Sequence, residues 1–374
     1  MIYLDNAATT KVDLTAFENS KKYLTEEYFN PSAKYHGGIC ALNAIKQAKE
    51  SIAKIFGGNF EVIFTSCGTE SDNTAIFSYS KRGNIVTSLG EHSAVFAPLD
   101  NLKKSGYDSR FAKINDDGSV NVEHLLSLID SNTTLVSIVH VNNETGAIND
   151  INYISKKCKE KNPRLVFHSD GVQAFGKIQT KLAQSVDLYS ISAHKIGGIK
   201  GVGALIKNKN LKTLKPFIVG GGQENGLRSG TENVFGIKML EFVSLDKADN
   251  FERNFNHVSN LKKEFLSRLD KSLFKVISSD TASPYVISIS AVGLKGEVLQ
   301  HMLEKNDVIV GTGSACSSKN PFSRVLKEAG YDNKTLDGVI RISFSFDTDL
   351  ESVITAVSKI NENALNLKKA MYNL

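Results

Sequence analysis

RLVFHSDGVQAFGK, residues 164–177, and DLYSISAHKIGG, residues 187–198, decide how this chain is read. Each begins as a run of apolar and β-prone residues and ends in side chains that carry chemistry. These are His168, Asp170 and Gln173 in one, and Ser192, His194 and Lys195 in the other. Runs of this kind describe strands covered on both faces rather than strands with one face in water. Two in succession predict a layered α/β fold, and the polar residues that follow them mark one edge of its sheet.

The pattern extends in both directions. VIFTS (62–66), NIVTS (84–88), TLVSIVHV (134–141) and GVGALI (201–206) read as further strands. Helical stretches from Glu70, over 95–104 and over INYISKKCKEK (151–161) lie between them. Upstream, Leu42, Ile45, Ala48, Ile52, Ile55 and Phe56 recur every three or four positions, which marks an amphipathic helix ending at Gly57 and Gly58. Strands interleaved with helices predict a mostly parallel sheet with helices on both sides. After a long amphipathic helix at 251–269 the elements shorten to VISS, YVISIS, a helix over 297–305, VIV, a helix near Val325, IRISFSF and a terminal helix. That succession predicts a second, smaller α/β domain.

Composition excludes several classes. Hydrophobic residues at 41% and charged residues at 23% are globular values, and no apolar run approaches the ~20 residues that cross a bilayer. The opening MIYLDNAATT lacks a basic segment followed by an apolar core, so a cytoplasmic location is expected. The net charge is +5, but lysines alternate with acidic residues along helices, as on a solvated surface. No direct, stable nucleic-acid binding is expected. Cys40, Cys67, Cys158 and Cys316 contain no CxxC pair, so neither a disulfide framework nor a zinc site is predicted, and a special cysteine would work alone. Cys40 and Cys158 fall on helical stretches and are expected to be buried as small hydrophobes.

Open α/β sheets hold ligands at the carboxyl ends of their strands. Five clusters follow predicted strands: Cys67 to Ser71, Glu91 with His92, Asn142 to Glu144, His168 to Gln173, and Ser192 to Lys195. Together they supply what a pyridoxal phosphate site requires, namely a lysine for a Schiff base, an acid for the pyridine nitrogen, a phosphate cup and a surface to clamp the ring. Lys195 and Asp170 close neighbouring strands, and Gly68 and Thr69 lie where a strand turns into a helix whose N–H groups favour phosphate. Taken singly, each residue has an ordinary reading: a surface lysine, a helix-capping aspartate, a turn glycine. Their common position at strand ends is what distinguishes them. Gly198 to Gly203 has P-loop spacing without the Lys and Ser/Thr that should follow, and His168 with Asp170 has no further ligand set, so neither nucleotide nor metal binding is predicted.

These residues resemble the NifS/IscS-type cysteine desulfurases, a branch of the fold-type I pyridoxal phosphate enzymes grouped with class V aminotransferases. The resemblance rests on YLDNAATT (3–10), NPSAKYHGG (30–38), TSCGTESDN (65–73), EHSAV (91–95), HVNNETG (140–146), HSDGVQAFGK (168–177), SAHKIGG (192–198), GGGQENGLRSGTENV (220–234), GSACSS (313–318) and IRISF (340–344), in that order. It implies a large domain over 15–255 with a mostly parallel seven-stranded sheet, and a small α/β domain built from 1–14 and 256–374. It further implies that Lys195 carries pyridoxal 5'-phosphate, Asp170 its ring nitrogen and Gln173 its ring oxygen, while His92 stacks on the ring. Gly68, Thr69, Ser192 and His194 would hold the phosphate, with Thr231 reaching it from the second subunit of a homodimer. Asn143 and Arg341 would bind the carboxylate of L-cysteine, Arg341 through a planar, bidentate fork. Lys195 would then act as base, and Cys316 would take the sulfur as a persulfide for an acceptor protein.

Two departures stand out. CSSKNPFSRVL (316–326) is slightly shorter than the long-loop form, which looks more like desulfurases that serve the tRNA 4-thiouridine synthase than like those serving an iron-sulfur scaffold alone. Gly197-Gly198-Ile199 replaces the usual Tyr-Gly-Pro. A class V aminotransferase or selenocysteine lyase would share Lys195 and Asp170 without needing Cys316. A non-catalytic sulfur-network scaffold would need none of the three.

Overall fold

The computed structural model describes residues 1–57, 59–312 and 322–372, and two sheets organise them. The chain opens on strand β1 (Ile2–Leu4), which belongs to the second sheet. The first sheet is then laid down by β2 (Phe60–Thr65), β3 (Asn84–Ser88), β4 (Ser109–Ala112), β5 (Thr133–Ser137), β6 (Val166–Asp170), β7 (Leu188–Ser192) and β8 (Gly203–Asn208). Their order across the sheet is β2-β8-β7-β6-β5-β3-β4. Pairing is parallel throughout from β4 to β7, whereas β8 runs antiparallel to both β7 and β2. An antiparallel neighbour needs no crossover helix, so the chain passes from β7 through residues 193–202 straight into β8. That short return carries Lys195.

Every residue of β3, β6, β7 and β8 is buried, which explains their lack of strict apolar–polar alternation. On one face the sheet meets helix His36–Ile55, whose Ala41, Ala44, Ile45, Ala48 and Ile52 form its buried stripe. On the other it meets helices Gly68–Tyr79 and Ser93–Lys104 through Ala75, Ile76, Tyr79, Val95 and Leu99. Cys158 is buried as expected. Cys40 is not: it lies off the buried stripe of its helix, half exposed, with its Sγ 3.6 Å from His36 Nε2.

The second sheet contains β9 (Lys275–Val276), β10 (Val286–Ser290), β11 (Val308–Thr312) and β12 (Val339–Ser343), in the order β1-β11-β12-β10-β9. β1 pairs parallel to β11 and the other neighbours are antiparallel. Helices Phe251–Arg268, Gly296–Lys305 and Leu350–Tyr372 cover it, and Phe265, Leu299, Leu303, Ile340, Ile342, Val357 and Ile360 form a core separate from that of the first sheet. Because β1 sits in this second sheet, the segment after it, Asp5–Thr10, is drawn across to the strand ends of the first.

Candidate active site

Lys195 ends a short 3₁₀ turn, Ala193–Lys195, directly after β7. Its Nζ donates to the carbonyls of Ala7 and Ala8 at 2.6 and 2.8 Å. The turn is held in register by the same N-terminal segment. Thr10 N and Oγ1 both donate to His194 O, Gly197 N donates to Thr10 Oγ1, and Thr9 Oγ1 lies 3.1 Å from His194 Nδ1.

Asp170 closes β6 next to β7 and is 4% exposed. Its Oδ1 accepts from Val172 N at 2.9 Å, and burial pushes its carboxyl above the ordinary range. His92 caps helix Ser93–Lys104 by accepting Ala94 N at Nδ1, 3.1 Å away. Burial lowers its pKa, so the ring is neutral near pH 7, and an accepting Nδ1 leaves the proton on Nε2.

These groups share one cavity of about 350 Å³. Gly68, Thr69, Gln173, Ser192, His194, Asn143 and Arg341 also line it, as do Asp5, Ala7, Ala8, Cys67 and Asp72. A Cβ on Gly68 would come within 2.6 Å of Val172 Cγ2, so glycine is what lets the helix begin hard against the Asp170 turn. Ser192 lies beside that helix start, and its Oγ is buried without a hydrogen-bond partner. At the far end, Arg341 on β12 donates from Nη2 to Asp5 Oδ1 at 2.8 Å and from Nη1 to Asn143 O at 2.9 Å. Its Nε is buried and unpartnered.

Other strand-end residues brace the loops instead of lining the cavity. Glu70 accepts from Ser66 N and pairs with Arg228. Glu91 Oε1 accepts from Ser88 Oγ and Val139 N, and burial raises its pKa to about 8. Asn142 Oδ1 gathers the amides of Glu144 and Thr145. His168 bridges Ser137 and Ser190, with its pKa lowered to about 3 by burial. Thr231 lies outside the cavity, in a recess of about 100 Å³ with Ser66, Glu224 and Arg228. Cys316 and the rest of GSACSS lie outside the described residues.

Two contributors are not evident from strand-end position. Asp72 is 1% exposed, and burial together with the nearby Asp170 raises its carboxyl well above the usual range. Looking only at polar residues straight after strands passes over it, because it sits one turn into the helix. Its spacing to Ala75, Ile76 and Tyr79 would have flagged an acid on a buried stripe. Asp5 with Ala7 and Ala8 would have emerged had the strand-end rule been applied to YLDN as well.

The family model described as Aminotransferase class-V matches residues 2–355. The chain belongs to this family. A cysteine desulfurase IscS from Dictyoglomus turgidum is 38% identical over an alignment covering 96% of this chain and 94% of that protein. A cysteine desulfurase from Nostoc sp. is 36% identical, with 97% and 93% covered. Among solved structures, a NifS-like protein overlays with a TM-score of 0.91 at 34% identity, covering 98% of this chain and all of that one. The α/β architecture with its mostly parallel seven-stranded sheet is thus that of the fold-type I enzymes.

Class-V aminotransferases are pyridoxal phosphate enzymes, and the cavity fits that group. The unpartnered Ser192 hydroxyl and the first turn of helix Gly68–Tyr79 offer O–H and N–H donors to a phosphate. Asp170 and Asp72 are two buried acids whose ionised form burial disfavours, and a protonated ring nitrogen would stabilise that form. His92 brings a neutral ring, and Lys195 brings an amine at the end of a buried strand. A cavity of a few hundred Å³ is also the usual scale for a small cofactor.

Proposed function

We propose that this chain is a cysteine desulfurase, which takes sulfur from L-cysteine, releases L-alanine and holds the sulfur as a persulfide on Cys316 for delivery to an acceptor protein. One observation carries the reading: a single cavity combines Lys195, Asp170 and His92 with Arg341, whose buried Nε has no hydrogen-bond partner among the described residues.

Arg341 and Asn143 bind the substrate carboxylate at one end of the cavity, and Gly68, Thr69, Ser192 and His194 hold the cofactor phosphate at the other. Pyridoxal phosphate held there would supply an electron-withdrawing ring for chemistry at the substrate α-carbon. Asp170 would hold the ring nitrogen protonated, and His92 would clamp the ring. Lys195 Nζ takes the α-proton, its position set by the Ala7 and Ala8 carbonyls. The Cys316 thiolate attacks the substrate sulfur, so that a sulfur–sulfur bond forms, the substrate carbon–sulfur bond breaks, and its electron pair remains with carbon to be protonated. The net change is L-cysteine plus enzyme thiol to L-alanine plus enzyme persulfide.

Residue spacing supports the role of Cys316. A Cβ on Gly311 would lie 2.6 Å from Asp5 Oδ1 and 3.0 Å from Arg341 Nη2, so the end of β11 runs against the pair that positions the carboxylate arginine. Cys316 follows Thr312 by four residues, over which a chain spans at most about 14 Å. The active form is a homodimer in which Thr231 of each subunit reaches the phosphate of the other. The acceptor is an iron-sulfur scaffold or a tRNA 4-thiouridine synthase, and the enzyme works in the cytoplasm; among the described residues no helix is long and apolar enough to cross a membrane.

The test is to load the protein with pyridoxal phosphate, add L-cysteine, quantify alanine, and examine the Cys316 peptide by mass spectrometry. One added sulfur on that peptide, with alanine formed, is expected. Alanine without the added sulfur would point to a lyase, and a protein that develops no visible absorption with the cofactor would point to a scaffold. Arg341→Gln is expected to lower kcat/KM for cysteine about 10²-fold or more, chiefly through KM, because it removes the carboxylate anchor and leaves Asp5 without its cation. Steady-state kinetics check this, with cofactor absorption unchanged.

A further inference from the structure

Behind the cavity wall, Lys177 is 2% exposed, and its Nζ donates to Gln173 Oε1 at 2.9 Å. The other end of that amide, Gln173 Nε2, donates to Ala7 O at 2.7 Å. The same carbonyl accepts Lys195 Nζ at 2.6 Å. A hydrogen-bonded chain therefore runs from Lys177 through Gln173 and the Ala7 carbonyl to Lys195.

The polarity of this chain is fixed by its ends. The Ala7 carbonyl can only accept, and the Lys177 ammonium, present below about pH 7, can only donate, so the amide oxygen faces Lys177 and the amide nitrogen faces Ala7. One N–H of that nitrogen is committed to Ala7, and the second is left for the cavity that Gln173 lines. Without Lys177 only the Ala7 carbonyl would oppose a turn of the amide that presents its oxygen instead. Lys177 itself sits in an expensive position. Burial, reinforced by the cations Lys195 and Arg341, lowers its pKa to about 7, and His194 lies within reach of its charge. Asp170 faces Lys195 and His92 from β6, and Asp5 faces Arg341 from the N-terminal segment.

We propose that Lys177 is a positioning residue of the cofactor site, which locks Gln173 as a hydrogen-bond donor toward the ring oxygen of pyridoxal phosphate and thereby sets how tightly the linkage between Lys195 and the cofactor holds its proton. The proposal rests on the pyridoxal phosphate reading given above. A donor at the ring oxygen stabilises its anionic form and weakens its grip on the neighbouring linkage proton, so the linkage deprotonates at lower pH. With the amide reversed, an acceptor oxygen faces the ring oxygen and the proton is held to higher pH.

The experiment is a pH titration of the visible absorption of the cofactor-loaded protein. In Lys177→Met the midpoint is expected to rise by about one unit, and in Lys177→Arg, which keeps an obligatory donor, it is expected to return toward the wild-type value. In a Gln173→Ala background the Lys177→Met shift should vanish, since there is no amide left to orient. A shift that persists in full without Gln173 would overturn the proposal, as would an unchanged midpoint in the single variant. If circular dichroism shows that Lys177→Met does not fold, Lys177→Gln serves in its place and is expected to move the midpoint in the same direction. A wild-type protein that gains no visible band with pyridoxal phosphate would instead defeat the functional reading itself, which separates the two failures.

Discussion

Lys195→Ala is expected to lose at least about 10³-fold in turnover of L-cysteine, and to lose the visible absorption that marks a cofactor joined to a lysine. Two roles end together in this variant. In the proposed mechanism the amine at the end of the β7 turn joins the cofactor, and the same amine serves as the base for the α-proton. Among the described residues the other candidate bases are engaged elsewhere. Lys177 is directed at Gln173, and His92 Nδ1 is occupied by Ala94 N. The fold should be preserved, since Lys195 follows the strand rather than packing within it, and Ala193 remains buried beneath the turn. The measurements are alanine release, the absorption spectrum and thermal unfolding on the same preparation. Retention of more than a tenth of the wild-type rate would remove Lys195 from the mechanism.

Cys316→Ala is expected to separate cofactor chemistry from sulfur delivery. The variant should bind pyridoxal phosphate with a wild-type spectrum, because the residues proposed to hold that group all lie among the described cavity residues or at Thr231. Persulfide on the 313–318 peptide should be absent, and transfer to an acceptor should fall by at least about 10³-fold, since the nucleophile in the sulfur step is gone. Cys67→Ser is the informative companion. Cys67 lines the cavity, where Ser66 Oγ donates to its Sγ at 3.7 Å, and its replacement should leave most of the persulfide signal intact. The opposite pattern, with persulfide lost in Cys67→Ser and kept in Cys316→Ala, would move the sulfur-carrying thiol to the helix start.

Much of the cavity was legible in the sequence because a parallel sheet converts position in the chain into position in space. Asp170, Ser192, His194 and Lys195 follow adjacent strands, and neighbouring parallel strands end on the same edge. The rule fails where a side chain arrives by another route. Asp72 comes in on a helix, and Lys177 stands behind Gln173 on the turn that follows β6. The helix Val234–Asp249 left no amphipathic signature because it is buried nearly all round. β4 is four residues long, too short to give a period. The bracing roles of Glu70, Glu91 and Asn142 were equally invisible, since a polar residue after a strand looks the same whether it will face a ligand or gather backbone amides.

The pairing of β1 with β11, and of Asp5 with Arg341, has a consequence for biosynthesis. The partners in that ion pair are 336 positions apart, so in a nascent chain β1 has no strand to pair with until β11 has emerged from the ribosome. The first sheet can assemble while translation continues, but the clasp on Lys195 gains its anchored strand only when β11 has emerged. A product terminated before β11 would keep the Ala7, Ala8 and Thr10 contacts to the Lys195 turn but lack the strand pairing that anchors their segment.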